Sequence, residues 1–526
     1  MTHSVCKMEG SMVKGNIHIN TKKRKVVTQI TLEKDMIVPD KMPDIEKSIT
    51  EKGMIYIENV RTMNKKADIN GHMKVEILYE PVCQVETEIP FSESVNIEDI
   101  EDGDNIRISY TIENLKVSVI NSRKISIKAI VTFNIEPECV KDIEVATGCE
   151  QGENIECICK NIRFLQYVTR KKDVFRIKDE VEISKSKPNI GQIIWKNVEL
   201  RNSQTRLMDN RINLMGEVNV FVIYRPDDEN SPIQWIDSVL PYSGDIEVEG
   251  INETMIPDIS VELSDVTVEI RPDYDGEQRV FGVDAVLDID ARIYMENEMD
   301  IIDDVYAPGR VIVPEIQNVC GENLIVKNNS QCRFSDRIDI SDSDYVSDIM
   351  QICNVNGKVC IDSITNEEDG IEIQGVVETV IMYVSQSDET PFGSVRNMTP
   401  FNFRIDVNGM TNVWDYNCSI NQSLMQLNYN MSGNGQIDIK GVIAFDVTVC
   451  KRNDEKFITG IEDRPMDNDK YKSLPGMVMY YVKDGERLWD IAKKYNTTMA
   501  SIMEVNEMQQ DDIKAGDSVM IVKQVK

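Results

Sequence analysis

The sequence has very few histidines and none of the short motifs that mark common enzyme families. Its three histidines are His3, His18 and His72. The zinc-protease motif H-E-x-x-H, the nucleophile elbow G-x-S-x-G, the Walker loop and the Rossmann glycine pattern are all absent. Acidic pairs occur throughout so acidic a chain, so they do not single out a glycosidase site. We therefore expect a protein that is not an enzyme, with no catalytic residues, no cofactor and no metal ion.

Long apolar runs and an excess of basic residues are also missing. No window approaches 18 consecutive apolar residues, so we expect no membrane span. The formal net charge of −32 argues against nucleic-acid binding, because few cations are left to neutralise phosphates. The acidity instead keeps the protein in solution or attracts a basic partner. The first residues lack the apolar segment of a signal peptide, so we expect a cytosolic protein.

The twelve cysteines do not form a metal-binding or disulfide pattern. None belongs to a CxxC pair, and the closest approach is Cys157-Ile158-Cys159. Alternate positions of a strand point to the same side, which suits packing better than chelation. We expect free, partly buried thiols, and late oxidation into crosslinks stays open.

An internal repeat organises most of the chain. Gly71 to Tyr79, Gly216 to Tyr224 and Gly375 to Tyr383 share a glycine, a tyrosine eight residues later and two apolar residues before the tyrosine. Each segment is followed by a proline, an aromatic residue and a small polar residue. These three-residue segments are Pro90-Phe91-Ser92, Pro241-Tyr242-Ser243 and Pro400-Phe401-Asn402. The period of roughly 145 to 160 residues matches a whole domain rather than a solenoid unit.

Each repeat has the alternation of half-buried β-strands. Ile125 to Ile135 alternates apolar and polar residues, and Val261 to Ile270 does the same. We predict a mainly β protein with three tandem antiparallel repeats, sandwich-like or barrel-like. The shared glycine indicates a bulge or close packing, and the shared tyrosine indicates a core residue with a tethered hydroxyl. The predicted divisions are a tail (1–25), three repeats (26–150, 160–300 and 315–452), a linker (453–478) and a C-terminal module (479–526).

The C-terminal module has its own pattern. A short strand at Tyr481 precedes a turn containing Gly485, and Leu488, Ile491, Ala492 and Tyr495 form one apolar stripe on a helix. A second helix follows Asn496-Thr497-Thr498, and a strand closes the chain after Gly516. The predicted order is therefore βααβ. The Asp-, Asn- and Pro-rich linker has little to bury, so we expect this module to hang free of the β repeats.

This module resembles a LysM domain. The resemblance implies a groove between two turns, 484–488 and 506–514, that binds N-acetylglucosamine polymers such as peptidoglycan. The implied groove residues are Asp484, Gly485, Glu486, Arg487, Leu488, Trp489, Asn506, Met508, Ile513 and Lys514. Two residues depart from the sugar-binding pattern: Arg487 replaces a small Thr or Ser, and Ala515 replaces a Pro. A bulky cation favours a protein ligand, with Trp489 and Leu488 as anchors, although Trp489 is equally compatible with simple core packing.

The three repeats resemble the SPOCS domain, also called DUF3794, of clostridial spore-coat proteins. With a terminal LysM domain, the resemblance implies an adaptor in the cytoplasm of the mother cell, at the forespore surface. It implies that the LysM domain binds the coat morphogenetic ATPase SpoIVA and that the β repeats contact other coat proteins. The alternative is a cell-wall protein whose LysM domain binds peptidoglycan.

Overall fold

The computed structural model describes residues 12–63, 65–98, 100–101, 104–149, 155–228, 230–339, 349–385, 391–407, 410, 415–432, 436–466 and 475–522. Within these residues the chain is almost entirely antiparallel β-sheet, with two short helices near the C-terminus. The strands are β1 (Met12–Lys22), β2 (Val26–Ile37), β3 (Lys47–Met63), β4 (Lys66–Glu80), β5 (Cys83–Asn96), β6 (Asn105–Asn121), β7 (Lys124–Cys149), β8 (Glu156–Glu182), β9 (Ile190–Met208), β10 (Arg211–Pro226), β11 (Gln234–Glu247), β12 (Ile256–Pro272), β13 (Gln278–Tyr306), β14 (Arg310–Asp339), β15 (Ile349–Glu367), β16 (Gly370–Ser385), β17 (Phe392–Asp406), β18 (Tyr416–Ser432), β19 (Gln436–Pro465), β20 (Met477–Tyr481) and β21 (Ser518–Val522). The helices are α1 (Leu488–Lys494) and α2 (Met499–Val505).

Each repeat is a sandwich of two antiparallel sheets. The first sheet of each is a meander, in the orders β3-β4-β5, β9-β10-β11 and β15-β16-β17. The second sheet is built around one long central strand, β7, β13 or β19. Alternating apolar side chains from both sheets fill one core per repeat. The prediction of three antiparallel β repeats and a small βααβ module is confirmed.

The two repeated sequence motifs are cross-strand partners. Gly71 lies opposite Phe91, Gly216 opposite Tyr242 and Gly375 opposite Phe401. A Cβ on Gly216 would lie 2.7 Å from the Tyr242 hydroxyl, so the aromatic ring occupies the space that a side chain would need. The register also shifts beside the glycine in each repeat, which marks a β-bulge. The predicted bulge and the predicted close packing are therefore both present.

The shared tyrosine is a core residue whose hydroxyl is tethered to the backbone. Tyr79 and Tyr224 are both 0% exposed. The Tyr79 hydroxyl donates to the Pro43 carbonyl over 3.1 Å, and the Tyr224 hydroxyl donates to the equivalent Pro188 carbonyl over 3.3 Å. Each bond ties the central meander strand to the segment that precedes the first meander strand, and it gives the buried hydroxyl a partner.

The three repeats also share a core with one another. Equivalent residues of the three central meander strands, Leu78, Ile223 and Met382, are buried in a single apolar cluster. Ile49, Ile194 and Cys353, from the preceding strand of each repeat, belong to the same cluster. The repeats therefore pack around a pseudo-threefold centre as one body.

The long strands extend past their sandwiches as three two-stranded ribbons, and these ribbons pack against each other. Ile17 of β1, Ile301 of β13 and Phe457 of β19 meet in one buried cluster. Two predicted domain boundaries are wrong for this reason: residues 12–22 of the predicted tail and residues 453–465 of the predicted linker form strands. The polar composition of the linker suggested coil, but hydrogen bonds to the paired strands satisfy the backbone of both segments, and their few apolar residues are buried by other repeats.

Charged side chains fill the space between the repeats. Arg292 of β13 and Glu138 of β7 are almost fully buried, and the guanidinium Nε donates to the carboxylate over 2.9 Å. A cavity of about 1350 Å³ is lined by all three repeats, with cations such as Lys22 and Arg107 facing anions such as Asp446. Burial alone lowers the pKa of Lys22, but nearby carboxylates raise it above its usual value.

Candidate functional site: the C-terminal module and its seat

The module has the predicted βααβ order. β20 and β21 pair antiparallel, and both helices pack against one side of them. Gly485 has a φ of 79°, which supplies the turn before α1, and the Thr498 hydroxyl accepts from the Ser501 amide to cap α2. The apolar stripe Leu488, Ile491 and Ala492 is buried as the periodicity predicts.

Glu486 fixes the first turn of the groove. Its carboxylate accepts the Tyr480 hydroxyl over 2.8 Å and the Lys483 amide over 3.0 Å. These bonds hold the pKa of Glu486 below its usual range, with the amide of Lys483 as the largest cause. The carboxylate thus serves the turn, and the exposed residues beside it, Asp484 and Gly485, form the rim.

Arg487 lies at the N-cap of α1 and is bound to its own helix. Its Nε and Nη2 atoms each donate to the Asp490 carboxylate over 3.1 Å, and its amide donates to the same group over 3.2 Å. The guanidinium is the largest cause of the low pKa of Asp490. More than half of the Arg487 side chain is exposed, so a planar, charged fork stands at the entrance of the groove.

Asn506 stabilises the second turn through internal hydrogen bonds, so its polar side-chain atoms are not free to bind a ligand in the groove. Its Nδ2 donates to the Ile502 and Met520 carbonyls, and its Oδ1 accepts the Met520 amide, each over 2.7 Å. The turn continues with Met508 and Ile513, which are half-buried, and Lys514, which is exposed. The Lys514 amide donates to Asp517 over 2.8 Å and so closes this side.

The two predicted apolar anchors are buried. Leu488 is 1% exposed and Trp489 is 2% exposed. Leu488 packs in the core of the module. Trp489 packs there too, but its ring also reaches outside the module. The groove surface of this conformation is therefore formed by Asp484, Gly485, Arg487 and Lys514, with the half-buried residues behind them.

The module does not hang free, because it sits on the ribbon end of the second repeat. The Trp489 indole donates to Asp304 of β13 over 2.9 Å, and the ammonium of Lys493 donates to the same carboxylate over 2.6 and 2.8 Å. Tyr306 stacks edge-on against Trp489, with ring centroids 4.7 Å apart. We call Asp304, Tyr306 and Gly309 the seat.

The loop between the helices completes this contact. The Tyr306 hydroxyl donates to the Thr497 carbonyl over 3.0 Å, and the Gly309 amide donates to the Asn496 side chain over 3.0 Å. Tyr306 is 6% exposed and belongs to the same apolar cluster as the module core. The expectation of a free module is therefore wrong, since this core is completed only by a residue of another domain.

The seat and the groove use different parts of the module. The seat contacts one side of α1 and the loop at 496–497, whereas the groove lies between the turns at 484–488 and 506–514. Burial raises the pKa of Asp304, but the bonds from Lys493 and Trp489 outweigh it and hold the pKa below its usual range. The Asp304 carboxylate is therefore ionised at neutral pH. Because the seat does not use the two turns, the groove rim stays exposed while the module is seated.

Comparison with family models agrees with this architecture. Three segments, 44–120, 189–271 and 348–432, match the SPOCS domain of SipL, and 480–521 match the LysM domain. The chain is a SipL-like protein. Each SPOCS match covers the meander sheet of one sandwich and part of the second sheet. No curated protein and no solved structure was found to match the chain.

The SipL-like architecture establishes a sporulation-related protein that is built from binding domains and carries a module of the peptidoglycan-binding type. The family also implies a location related to sporulation. Within the described part of the chain, neither helix has the length and apolar character needed to cross a membrane. Sequence reasoning missed the seat, because Asp304 and Tyr306 carry no signal that distinguishes them from other strand residues.

Proposed function

We propose that this SipL-like chain is a non-enzymatic adaptor that docks on a SpoIVA-like coat protein through its LysM groove. Its three SPOCS domains form the body that contacts other coat proteins, at the forespore surface in the cytoplasm of the mother cell. In this role the protein tethers the coat and places it around the forespore.

The charge and bonding of the groove rim carry this proposal. The polar side-chain atoms of Glu486 and Asn506 make hydrogen bonds within the module, so few neutral hydrogen-bonding groups are available to bind a sugar. The exposed rim instead offers charged groups, namely Lys514 and Arg487, whose guanidinium is also bonded to Asp490. Arginine is favoured at protein interfaces, where its planar group makes paired bonds to carboxylates or backbone carbonyls.

The β body supports the same role. Its three sandwiches share a central core and its ribbons seat the module, so the groove is held in one direction relative to the body. An adaptor needs such a fixed relation between its two binding surfaces if it is to position one layer on another.

Peptidoglycan binding is the second candidate, and the LysM match favours it. The groove of such modules accommodates N-acetylglucosamine units between the two turns. In this chain a sugar would have to pass the Arg487 side chain, where a small hydroxyl residue is usual.

Arg487→Thr in the full-length protein separates the two candidates. Threonine is a good N-cap and Asp490 remains three residues later, so α1 should persist while the guanidinium is removed. The matched control is Arg61→Thr, the same substitution at an exposed position of β3. Both variants are sedimented with polymerised SpoIVA-like protein and, separately, with insoluble peptidoglycan.

For an adaptor we expect Arg487→Thr to weaken binding to the coat polymer by about 30-fold, the loss of one hot-spot residue of ~2 kcal/mol. Arg61→Thr should bind like the parent. Retention on peptidoglycan but not on the coat polymer, with stronger retention of Arg487→Thr, would instead establish the cell-wall function.

A further inference from the structure

Three cysteines meet where the first SPOCS domain ends and the second begins. Cys149 is the last residue of β7, and Cys157 and Cys159 lie at the start of β8. Cys149 and Cys157 pack against the same apolar cluster, and the Cys157 thiol is close enough to Cys149 and Cys159 to contribute to the raised pKa of each. The Cys159 sulfur is also 4.0 Å from the Thr147 carbonyl oxygen. The end of β7 and the start of β8 therefore lie side by side, with Cys149 next to Cys157.

The surroundings favour thiol oxidation over metal binding. In the part of the chain that the structure describes, no three metal-ligating side chains are arranged to hold an ion. Cys149 and Cys157 are half-buried beside Val305 and Ile458, whereas Cys159 is exposed. A small reagent in solution can therefore reach the group, and the half-buried pair is held together by packing.

These cysteines are directly connected to the seat of the LysM module. In the β8–β13 ribbon, Cys157 pairs with Val305 and Ile158 pairs with Asp304. Ile158 packs against the module core on the other side of the strand. A covalent bond at Cys157 would thus join the first domain to the strand beneath the module.

We propose that Cys149 and Cys157 are a redox-sensitive pair that a low-molecular-weight disulfide oxidises to a disulfide bond. The Cys157 thiolate attacks one sulfur of the small disulfide, forms a mixed disulfide and releases one small thiolate. The Cys149 thiolate then attacks the Cys157 sulfur and releases the second small thiolate. Two protein thiols are oxidised, one small disulfide is reduced to two thiols, and the protein protons pass to the released thiolates or to water.

The electrostatics of the pair set the conditions for this reaction. Burial, together with the hydrogen bond that the Cys149 thiol donates to Cys157, raises the pKa of Cys149 to about 12. Because the thiolate is the nucleophile, closure of the bond should be slow at neutral pH and should accelerate as the pH rises. At neutral pH the pair should therefore respond to sustained rather than brief oxidising conditions.

Peptide mapping of the full-length protein tests the proposal. The protein is equilibrated with glutathione buffers of increasing oxidised fraction, alkylated, digested without reduction and analysed by mass spectrometry. We expect a linked peptide that joins Cys149 to Cys157, with the loss of two hydrogens. Cys159→Ser should retain this link. Cys149→Ser should leave a glutathione adduct on Cys157 in its place.

Two results would overturn the proposal. One is separate glutathione adducts on Cys149 and Cys157 with no linked peptide at any redox poise. The other is linkage of either residue to a different cysteine or to a second molecule only. Both results concern the wild-type chain, so they do not depend on the folding of a variant.

Discussion

Asp304→Ala should release the LysM module from its seat. The substitution removes the carboxylate that accepts the Trp489 indole over 2.9 Å and the Lys493 ammonium over 2.6 and 2.8 Å. It leaves the edge-on contact between Tyr306 and Trp489 in place. The experiment therefore isolates the polar part of the contact.

The expected loss of seating free energy follows from how exposed each bonding partner of Asp304 is. Trp489 is 2% exposed, so its indole N–H would be left buried without an acceptor, at a cost of about 1–3 kcal/mol. The side chains of Lys493 and Asp304 are 43% and 29% exposed, so this half-screened ion pair adds only ~0.2–1 kcal/mol. The middle of the combined range, about 2–3 kcal/mol, shifts the seated equilibrium by roughly 30- to 150-fold.

The Gly309 amide reports this equilibrium directly. It donates to the Asn496 side chain across the contact, so its hydrogen exchange requires the module to leave the seat. Hydrogen exchange with mass spectrometry should show the 30- to 150-fold acceleration at Gly309 in Asp304→Ala. Asp300→Ala, an exposed position of the same strand, is the matched control and should exchange like the parent.

Asp304→Asn tests which bond matters. The amide oxygen can still accept the Trp489 indole, so this variant should lose only the ion pair and accelerate exchange by less than about tenfold. Unchanged exchange at Gly309 in Asp304→Ala, or equal acceleration by the Ala and Asn variants, would refute the reasoning.

Three further outcomes are expected. Asn506→Ala should destabilise the module by about 2–3 kcal/mol, since it leaves the Met520 amide and carbonyl without their side-chain partner; faster exchange across β21 is the readout. Ile223→Ala should cost about 2–5 kcal/mol in thermal unfolding because it opens a cavity in the shared core, whereas Ile37→Ala, at a 71% exposed position, should cost little. The pKa of Asp304 is low in the folded protein. Seating should therefore be complete above its unfolded pKa of about 3.9 and should weaken as the pH falls further. Asp304→Asn should remove this pH dependence.

Local patterns were sufficient to predict the repeat and the βααβ order of the module. The alternation of Ile125 to Ile135 encodes a half-buried strand. A glycine followed by tyrosine at a fixed spacing encodes the same bulge three times and the same tether at Tyr79 and Tyr224. The apolar stripe from Leu488 encodes one face of α1. These features depend on neighbours along the chain or on the next strand, so periodicity carries them.

Contacts between domains could not be predicted in this way. Phe457 and Ile458 lie in a polar stretch that has no amphipathic face of its own, and they are buried only because ribbons from other repeats cover them. Asp304 is one carboxylate among many in an acidic chain until α1 brings Trp489 and Lys493 to it. Pairings of this kind arise from the arrangement of whole domains, which one sequence does not reveal.

The seated module changes how the proposed adaptor would gain affinity. A module on a flexible linker explores many directions, and its effective concentration near a second site depends on linker length. Here the Trp489 and Tyr306 contact fixes the groove relative to three SPOCS sandwiches that already share one core. The groove and the body can then bind at the same time only to a partner surface of matching geometry, such as a regular polymer. Release of the seat should therefore weaken binding to an ordered polymer far more than binding to a single partner subunit.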